Sequence, residues 1–359
     1  LTTMNRKYPI SVFPVAILFA LLFVGCKEQG IHDYPRNACN SVYYWRTTFN
    51  VSDAEQQFIT KHNVKRLYLR LFDVDMSKRN LWETLSPQPI ATIQFPDSAN
   101  LSLVMQQVDE CVPTVFITLQ ALKQMPWHEA NDYAQKICTR ILNMCSYHGF
   151  RDKVHEVQID CDWTETTENT YFHLLDEMRY IFNAQGIILS ATIRLHQLRT
   201  SAPPVDRGVL MLYNTGSLKH PETQNSILSY ADAMPYLKRI NYSLPLDYAF
   251  PNFGWGVWFR NNDFQAILHQ QDYSDENLYE QTDSTHYRVI KNHYNEGHWL
   301  ICGDIIRKET SEMVAIEQLK QHLSFSAETS IIMYHLDENN LKNLDNHEIS
   351  TFYSRPAAE

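Results

Sequence analysis

The run Val157-Gln158-Ile159-Asp160-Cys161-Asp162-Trp163 carries the most distinctive chemistry in the sequence. It is apolar at alternate positions, and side chains alternate between the two faces of a strand. Gln158, Asp160 and Asp162 therefore share one face, and Val157, Ile159 and Cys161 the other. Carboxylates at such spacing sit roughly 6–7 Å apart. Each disfavours ionisation of the other, which drives one titration up and the other down. A raised carboxyl can act as a general acid near neutral pH while its ionised neighbour stabilises positive charge. A second segment repeats the pattern: Ser190, Thr192, Arg194 and His196 alternate with Leu189, Ala191, Ile193 and Leu195. Arg194 is placed to neutralise the acids or to bind a substrate, and His196 either to contact a ligand or simply to sit on a loop. Arg70, Asp73 and Asp75 gather at the end of a third segment. The plain alternative is a structural acid pair, hydrogen-bonded or salt-bridged to Arg194.

The spacing predicts strands over 41–47, 64–72, 113–119, 154–161, 187–195, 209–213, 244–250 and 330–336. Helices are predicted over 52–62 with Ser52 as cap, 99–110, 127–148 with Gly149 as the stop, 167–184 and 221–239. Residues 75–96 read as an irregular insertion, and a long mixed stretch precedes the last strand. Alternation of strand and helix implies a parallel sheet with helical crossovers. Eight repeats fit an α/β fold, a (β/α)8 TIM barrel with insertions after strands 2 and 7. A doubly wound open sheet is the alternative, but no Gly-rich phosphate loop follows the first strand. In such a barrel the active site lies at the C-terminal strand ends, where Asp160, Asp162 and Arg194 fall.

With 44% apolar and 20% charged residues, the composition is that of a globular chain. A net charge of −10 argues against a nucleic acid partner, which calls for basic patches. The 20 Tyr, 17 Phe and 7 Trp suit a sugar-binding cleft and equally a large core. Histidines form no HExxH and no tight pair, so neither a metal nor a cofactor is expected. Six cysteines after Cys26 have no CxxC spacing and read mostly as buried thiols. Cys138 and Cys145 share a helix face about 10 Å apart, too far for a disulfide.

Met4 is expected to be the initiator, followed by the positive Arg6 and Lys7 and a mainly apolar run over 10–25. That run is shorter than the roughly 20 apolar residues of a membrane span and suits a signal peptide. Phe23-Val24-Gly25-Cys26 resembles the lipobox of bacterial lipoproteins, with Phe where Leu is usual. The resemblance implies cleavage before Cys26, acylation of that cysteine, a tether over 27–40 and a barrel over 41–359. The product would be exported and lipid-anchored to a bacterial membrane, expected to be the outer one.

The fourth strand resembles that of family 18 glycoside hydrolases, the chitinase-like barrels, whose pattern is DxxDxDxE. Gln158, Asp160 and Asp162 stand at its last three key positions. Met211-Leu212-Tyr213-Asn214 is similar to the family's Met-x-Tyr-Asp, and Pro251-Asn252-Phe253-Gly254, leading to Trp255, to its Pro-x-Tyr-Gly. Ile332 to Asp337 resembles the final strand, with Tyr334 where a substrate-stacking Trp is expected. The order holds across about 180 residues. The departures are an Asp for the acid Glu, Gln158 for an assisting Asp, and Phe116-Ile117-Thr118-Leu119 in place of SxGG. The chain is also similar to an uncharacterised family of exported barrel lipoproteins. The resemblance implies a glycan partner. Asp162 would protonate the leaving oxygen and Asp160 would assist it. Gln158, Arg194, His196, Tyr213, Asn214, Trp255 and Tyr334 would line the substrate site. Two other functions remain open: a non-catalytic glycan-binding lipoprotein, and a structural or adaptor lipoprotein.

Overall fold

The computed structural model describes residues 36–78, 83–238 and 242–356. Cys26 and most of the segment read as a tether lie outside them. In chain order the strands are β1 (Asn40–Tyr44), β2 (Val64–Ser77), β3 (Ser86–Ile90), β4 (Glu110–Ile117), β5 (Glu156–Asp160), β6 (Ile188–Arg194), β7 (Arg207–Met211) and β8 (Leu246–Pro251). They continue with β9 (Gly254–Arg260), β10 (Asp263–Leu268), β11 (Tyr279–Gln281), β12 (His286–Val289), β13 (His293–Asn295), β14 (His298–Leu300), β15 (Ile305–Thr310) and β16 (Ile331–Tyr334). Eight of them, in the order β1-β16-β8-β7-β6-β5-β4-β2, are parallel, and pairing of β1 with β2 closes the circle. The expected (β/α)8 barrel is therefore the fold.

Local chemistry accounts for the frame. Ser52 caps helix Asp53–Lys61 in a reciprocal box with Glu55, as its sequence predicts. The fully buried Glu55 also accepts from Arg46 and from the backbone N–H of Glu338, tying the loop after β1 to the segment after β16. Helix Ala130–Tyr147 stops at Gly149, whose φ of +78° is open to glycine. The outward residues Val157, Ile159, Cys161, Leu189, Ala191 and Ile193 join the main core beneath the helices.

Three expectations need correction. Glu110, placed at a helix end, opens β4 instead, and the helix stops at Gln107. Its carboxylate accepts from Arg66 Nε at 2.6 Å inside the barrel, a partner that local sequence does not reveal. The helix over 221–239 shrinks to Tyr230–Leu237, because Pro221 and the turns of 215–229 leave no helical run before Ser229, its cap. Residues 75–96 are not wholly irregular: β3 folds back antiparallel on β2. After β8 comes a five-stranded antiparallel sheet, β10-β9-β15-β12-β11, with a small core of its own around Trp258, Tyr273 and Ile306.

At the N-terminal end of the barrel the interior is ionic. Arg36 pairs with Glu156 and Asp247, Arg66 with Glu110, and Arg207 with Asp247. Residues 36–40, read from sequence as the end of the tether, are held there, with Ala38 N–H bonded to Ala327 C=O and Asn40 already in β1. Among the described residues no helix is long and apolar enough to cross a membrane.

Candidate functional site

The alternation read from sequence holds at the other end of the barrel. Gln158 faces inward and accepts from Tyr43 Oη at 2.7 Å, one layer below Asp160. Asp160, 3% exposed, accepts from Thr192 Oγ1 at 2.6 Å. Arg194 donates through Nε to Asp162, and its Nη2 lies 3.8 Å from Asp160. One guanidinium thus spans both acids. Burial raises the Asp160 titration, Arg194 and Thr192 oppose it, and Asp162 and Asp73 add to it; the net direction is upward. The Asp162 side chain is 54% exposed, so it meets solvent and Arg194 together. Burial continues to alternate past the strand: Cys161 and Trp163 are buried, Asp162 and Thr164 exposed.

Aromatic rings surround the acids. Tyr213 and Tyr334 stack with centroids 4.6 Å apart. Tyr43, Trp45 and Phe253 each meet Tyr334 within 6 Å, at 5.5, 5.8 and 5.9 Å. Tyr213 Oη is buried and has no hydrogen-bond partner, and burial pushes its titration well above the usual phenol range. On β2, Arg70 donates to Asp73 and lies over the Trp45 ring at 5.4 Å. Residues three apart on a regular strand face opposite ways; the bulge between Arg70 and Phe72 brings these two to one side.

Asp160, Asp162, Arg194, Tyr213 and Tyr334 therefore meet at one mouth, with Gln158 buried beneath them. His196 does not extend the alternation. The strand ends at Arg194, and His196 is exposed on the short helix Leu195–Arg199. The buried residues of that turn are Leu195 and Gln197, and sequence reasoning missed Gln197. Its Oε1 accepts from the Arg194 N–H at 2.8 Å and its Nε2 donates to Trp163 C=O at 3.1 Å, fixing the β5 and β6 ends together. Asn214 is exposed with φ +55°. Trp255 is turned to Glu309 through its indole N–H, at 2.7 Å, and reaches the mouth only by way of Phe253. Asp75 accepts from Thr118 Oγ1 at 2.6 Å. Trp45 was also missed, although it follows Tyr43 at strand spacing, and Phe253 was read only as part of the 251–254 motif. No group of three or more His, Cys, Asp or Glu among the described residues could hold a metal. Cys111, Cys138, Cys145 and Cys161 are buried free thiols.

No known family profile and no curated protein matches the sequence. Solved structures do match. Chitinase from Chromobacterium violaceum superposes with TM-score 0.55 at 10% identity, over 88% of this chain and 98% of that one. A plant class V chitinase mutant from Cycas revoluta in complex with (GlcNAc)3 gives 0.53 at 11%, over 88% and 100%. The Bacillus cereus spore cortex-lytic enzyme SleL gives 0.52 at 13%, over 90% and 76%. At such identities the likeness is one of fold, and the fold is that of a divergent chitinase-like (β/α)8 barrel.

Proposed function

We propose that the barrel mouth binds an oligosaccharide containing N-acetylglucosamine and holds it without cleaving it. The observation that carries this reading is Arg194, whose guanidinium engages both acids. Asp162 accepts from Arg194 Nε–H, so this acid is engaged by a cation and not free to turn to a glycosidic oxygen. A second alignment supports the same conclusion. The family pattern DxxDxDxE fits equally one step outward, with Asp160 and Asp162 at its two inner Asp positions and Thr164 where the acid stands. A threonine has no proton to give near neutral pH. Tyr334, with Trp45 and Phe253, offers half-buried aromatic surface to a pyranose, and the buried Tyr213 backs it by stacking. The neighbour crystallised with (GlcNAc)3 supports the choice of sugar.

Hydrolysis is the second reading. It is favoured by the upward shift of Asp160 and by the exposed half of Asp162. Binding to a glycan array, followed by product analysis of each hit, separates the two. Under the binding reading N-acetylglucosamine oligomers are retained and recovered intact, and Tyr334→Ala weakens their affinity about ten- to hundred-fold. Released shorter sugars would overturn the non-catalytic assignment, and a blank array would overturn both.

We also propose that the protein is exported and carried on a membrane by acylation of Cys26. The Phe23-Val24-Gly25-Cys26 run after an apolar segment supports this. Several acyl chains, not one, make such an anchor stable. Cys26→Ser is expected to shift the protein from the membrane fraction to the soluble fraction. If the variant still sediments after a carbonate wash, the anchor is not at Cys26.

A further inference from the structure

Side chains alternate along β15. Ile306 enters the small core of the antiparallel sheet, while Arg307 and Glu309 face the other way. Both of these charged side chains are fully buried, and Arg307 Nε donates to Glu309 Oε1 at 2.6 Å. Taking two charges out of water costs about as much as their attraction returns, so the pair adds little net stability. What it supplies is fixed geometry, because every further hydrogen bond it makes is directional and charge-assisted. We propose that Arg307 and Glu309 are positioning residues of the mouth. From inside the insertion they fix the long loop after β7 and the Trp255–Phe253 wall, so that the aromatic surface stands ready for sugar. The inference rests on the glycan-binding reading above and names what preorganises that site.

The loop calls for outside support. Residues 212–229 hold no helix or strand, a length beyond the roughly 12–15 residues at which structureless loops become uncommon. The loop leaves the mouth directly, from Tyr213 and Asn214. Arg307 holds its middle. Nη1 donates to the carbonyls of His220 at 2.8 Å and Pro221 at 3.2 Å, and Nη2 to that of Leu218 at 3.1 Å. Glu309 holds the returning half, where Oε2 accepts from Ser226 Oγ. The same oxygen accepts from Trp255 Nε1 at 2.7 Å. Two neighbours extend the grip. Asn225 Nδ2 donates to Thr310 C=O at 2.9 Å, and Ser311 Oγ accepts from the Phe253 N–H at 3.1 Å. Trp255 packs on Phe253 at 5.1 Å, and Phe253 on Tyr334 at 5.9 Å. One end of β15 therefore reaches both the segment that leaves β7 and the one that leaves β8, and the two charges act on the mouth through other residues.

Two variants of the full chain test this. Arg307→Met combined with Glu309→Leu removes both charges together, so that neither is stranded. Arg307→Lys keeps a charge beside Glu309 but loses the fork that reaches three carbonyls, and it carries the test alone should the double variant fail to fold. A cooperative melting curve certifies the fold of each. In each variant, hydrogen–deuterium exchange of peptides covering 215–228 should quicken at least about ten-fold. Calorimetry below the melting range should show affinity for an N-acetylglucosamine hexamer about three- to thirty-fold weaker. A pair that served the fold alone would shift melting and leave the affinity of the folded protein unchanged. Wild-type exchange over 215–228, or faster exchange with wild-type affinity, would thus overturn the positioning role while leaving the mouth intact. Failure of the wild type to bind the hexamer would instead overturn the function proposed for the mouth, and with it the role assigned to the pair.

Discussion

Replacing Arg36 by alanine is expected to cost about 3–5 kcal/mol of folding stability, read as a lower midpoint of urea unfolding at unchanged slope. Glu156 and Asp247, its two partners, have fully buried side chains. Asp247 keeps Arg207, but Arg36 is the one cation paired with Glu156 among the described residues, and Glu156 Oε1 already lacks a hydrogen bond. Truncation would therefore leave a charge inside the barrel with nothing to offset its desolvation. Arg36→Lys should recover part of the loss, since an ammonium restores the charge but not the fork that reaches two carboxylates. Glu156→Gln in the alanine background should also recover part by removing the stranded charge. A loss below about 1 kcal/mol would mean that water or a neighbour replaces Arg36, at odds with the burial. The same network sets a pH dependence. Burial alone would raise the Asp247 titration, yet Arg36 and Arg207 hold it down to about 2, against 3.8 unperturbed. A folded-state value below the unfolded one gives stability that is present above the unfolded value and lost as pH falls through the folded one. Acid unfolding in the window from about 4 to about 2 should thus include this group. Arg36→Ala should move it to higher pH.

This ionic end was nearly invisible in the sequence, whereas the barrel itself was legible. Alternation along 157–163 and 189–195 was enough to put Asp160 and Thr192 inside and Ile159 and Ala191 outside, because one face of each strand meets helices and must be apolar. Arg66, Glu110, Glu156, Arg207 and Asp247 obey the same alternation. Arg66, Glu156 and Asp247 fell inside predicted strands, but nothing local tells which charges pair across the barrel. Glu110 was assigned to a helix end, and its partner Arg66 lies on the neighbouring strand. Tyr213 and Tyr334 could be placed at the mouth only with the help of the chitinase-like order of motifs. His196 failed because strand periodicity was carried one step beyond the strand. Gln197, which holds Arg194, gave no signal, since its role depends on the Trp163 carbonyl of a different loop. Arg70 and Asp73 were read as gathered at the end of their strand, but the bulge that turns both to one side is announced by no residue type.

If the mouth binds without cleaving, Thr164→Glu is expected to bring glycan cleavage, with a rate increase of about 100- to 10,000-fold, the usual worth of a general acid. The argument is one of register. Beyond the strand, burial alternates from Cys161 to Thr164, which leaves Asp162 and Thr164 both exposed, two residues apart. Thr164 Oγ1 makes only local contacts, with Thr166 at 3.0 Å and Thr167 at 3.4 Å, so a longer side chain is free to turn toward the mouth. Asp162→Glu makes the rival register testable. If Asp162 is itself the displaced acid, its extra methylene should raise activity and Thr164→Glu should do nothing. The two positions are roughly 6–7 Å apart along the chain, far more than a methylene spans, so one variant cannot mimic the other. In either case an N-acetyl carbonyl can serve as nucleophile, as in the glycosidases that need no second carboxylate of their own, and Asp160 is placed to orient it. Arg194 must also release its hold. Combining Thr164→Glu with Arg194→Met should further raise the rate if the guanidinium restrains Asp162, and lower it if it binds substrate. Hydrolysis of an N-acetylglucosamine hexamer, followed by product chromatography, reads each case. Wild-type cleavage that Asp162→Asn abolishes would establish Asp162 as the acid and end the non-catalytic reading. Cleavage in Thr164→Glu alone would mean that the barrel keeps a working cradle around a missing proton donor.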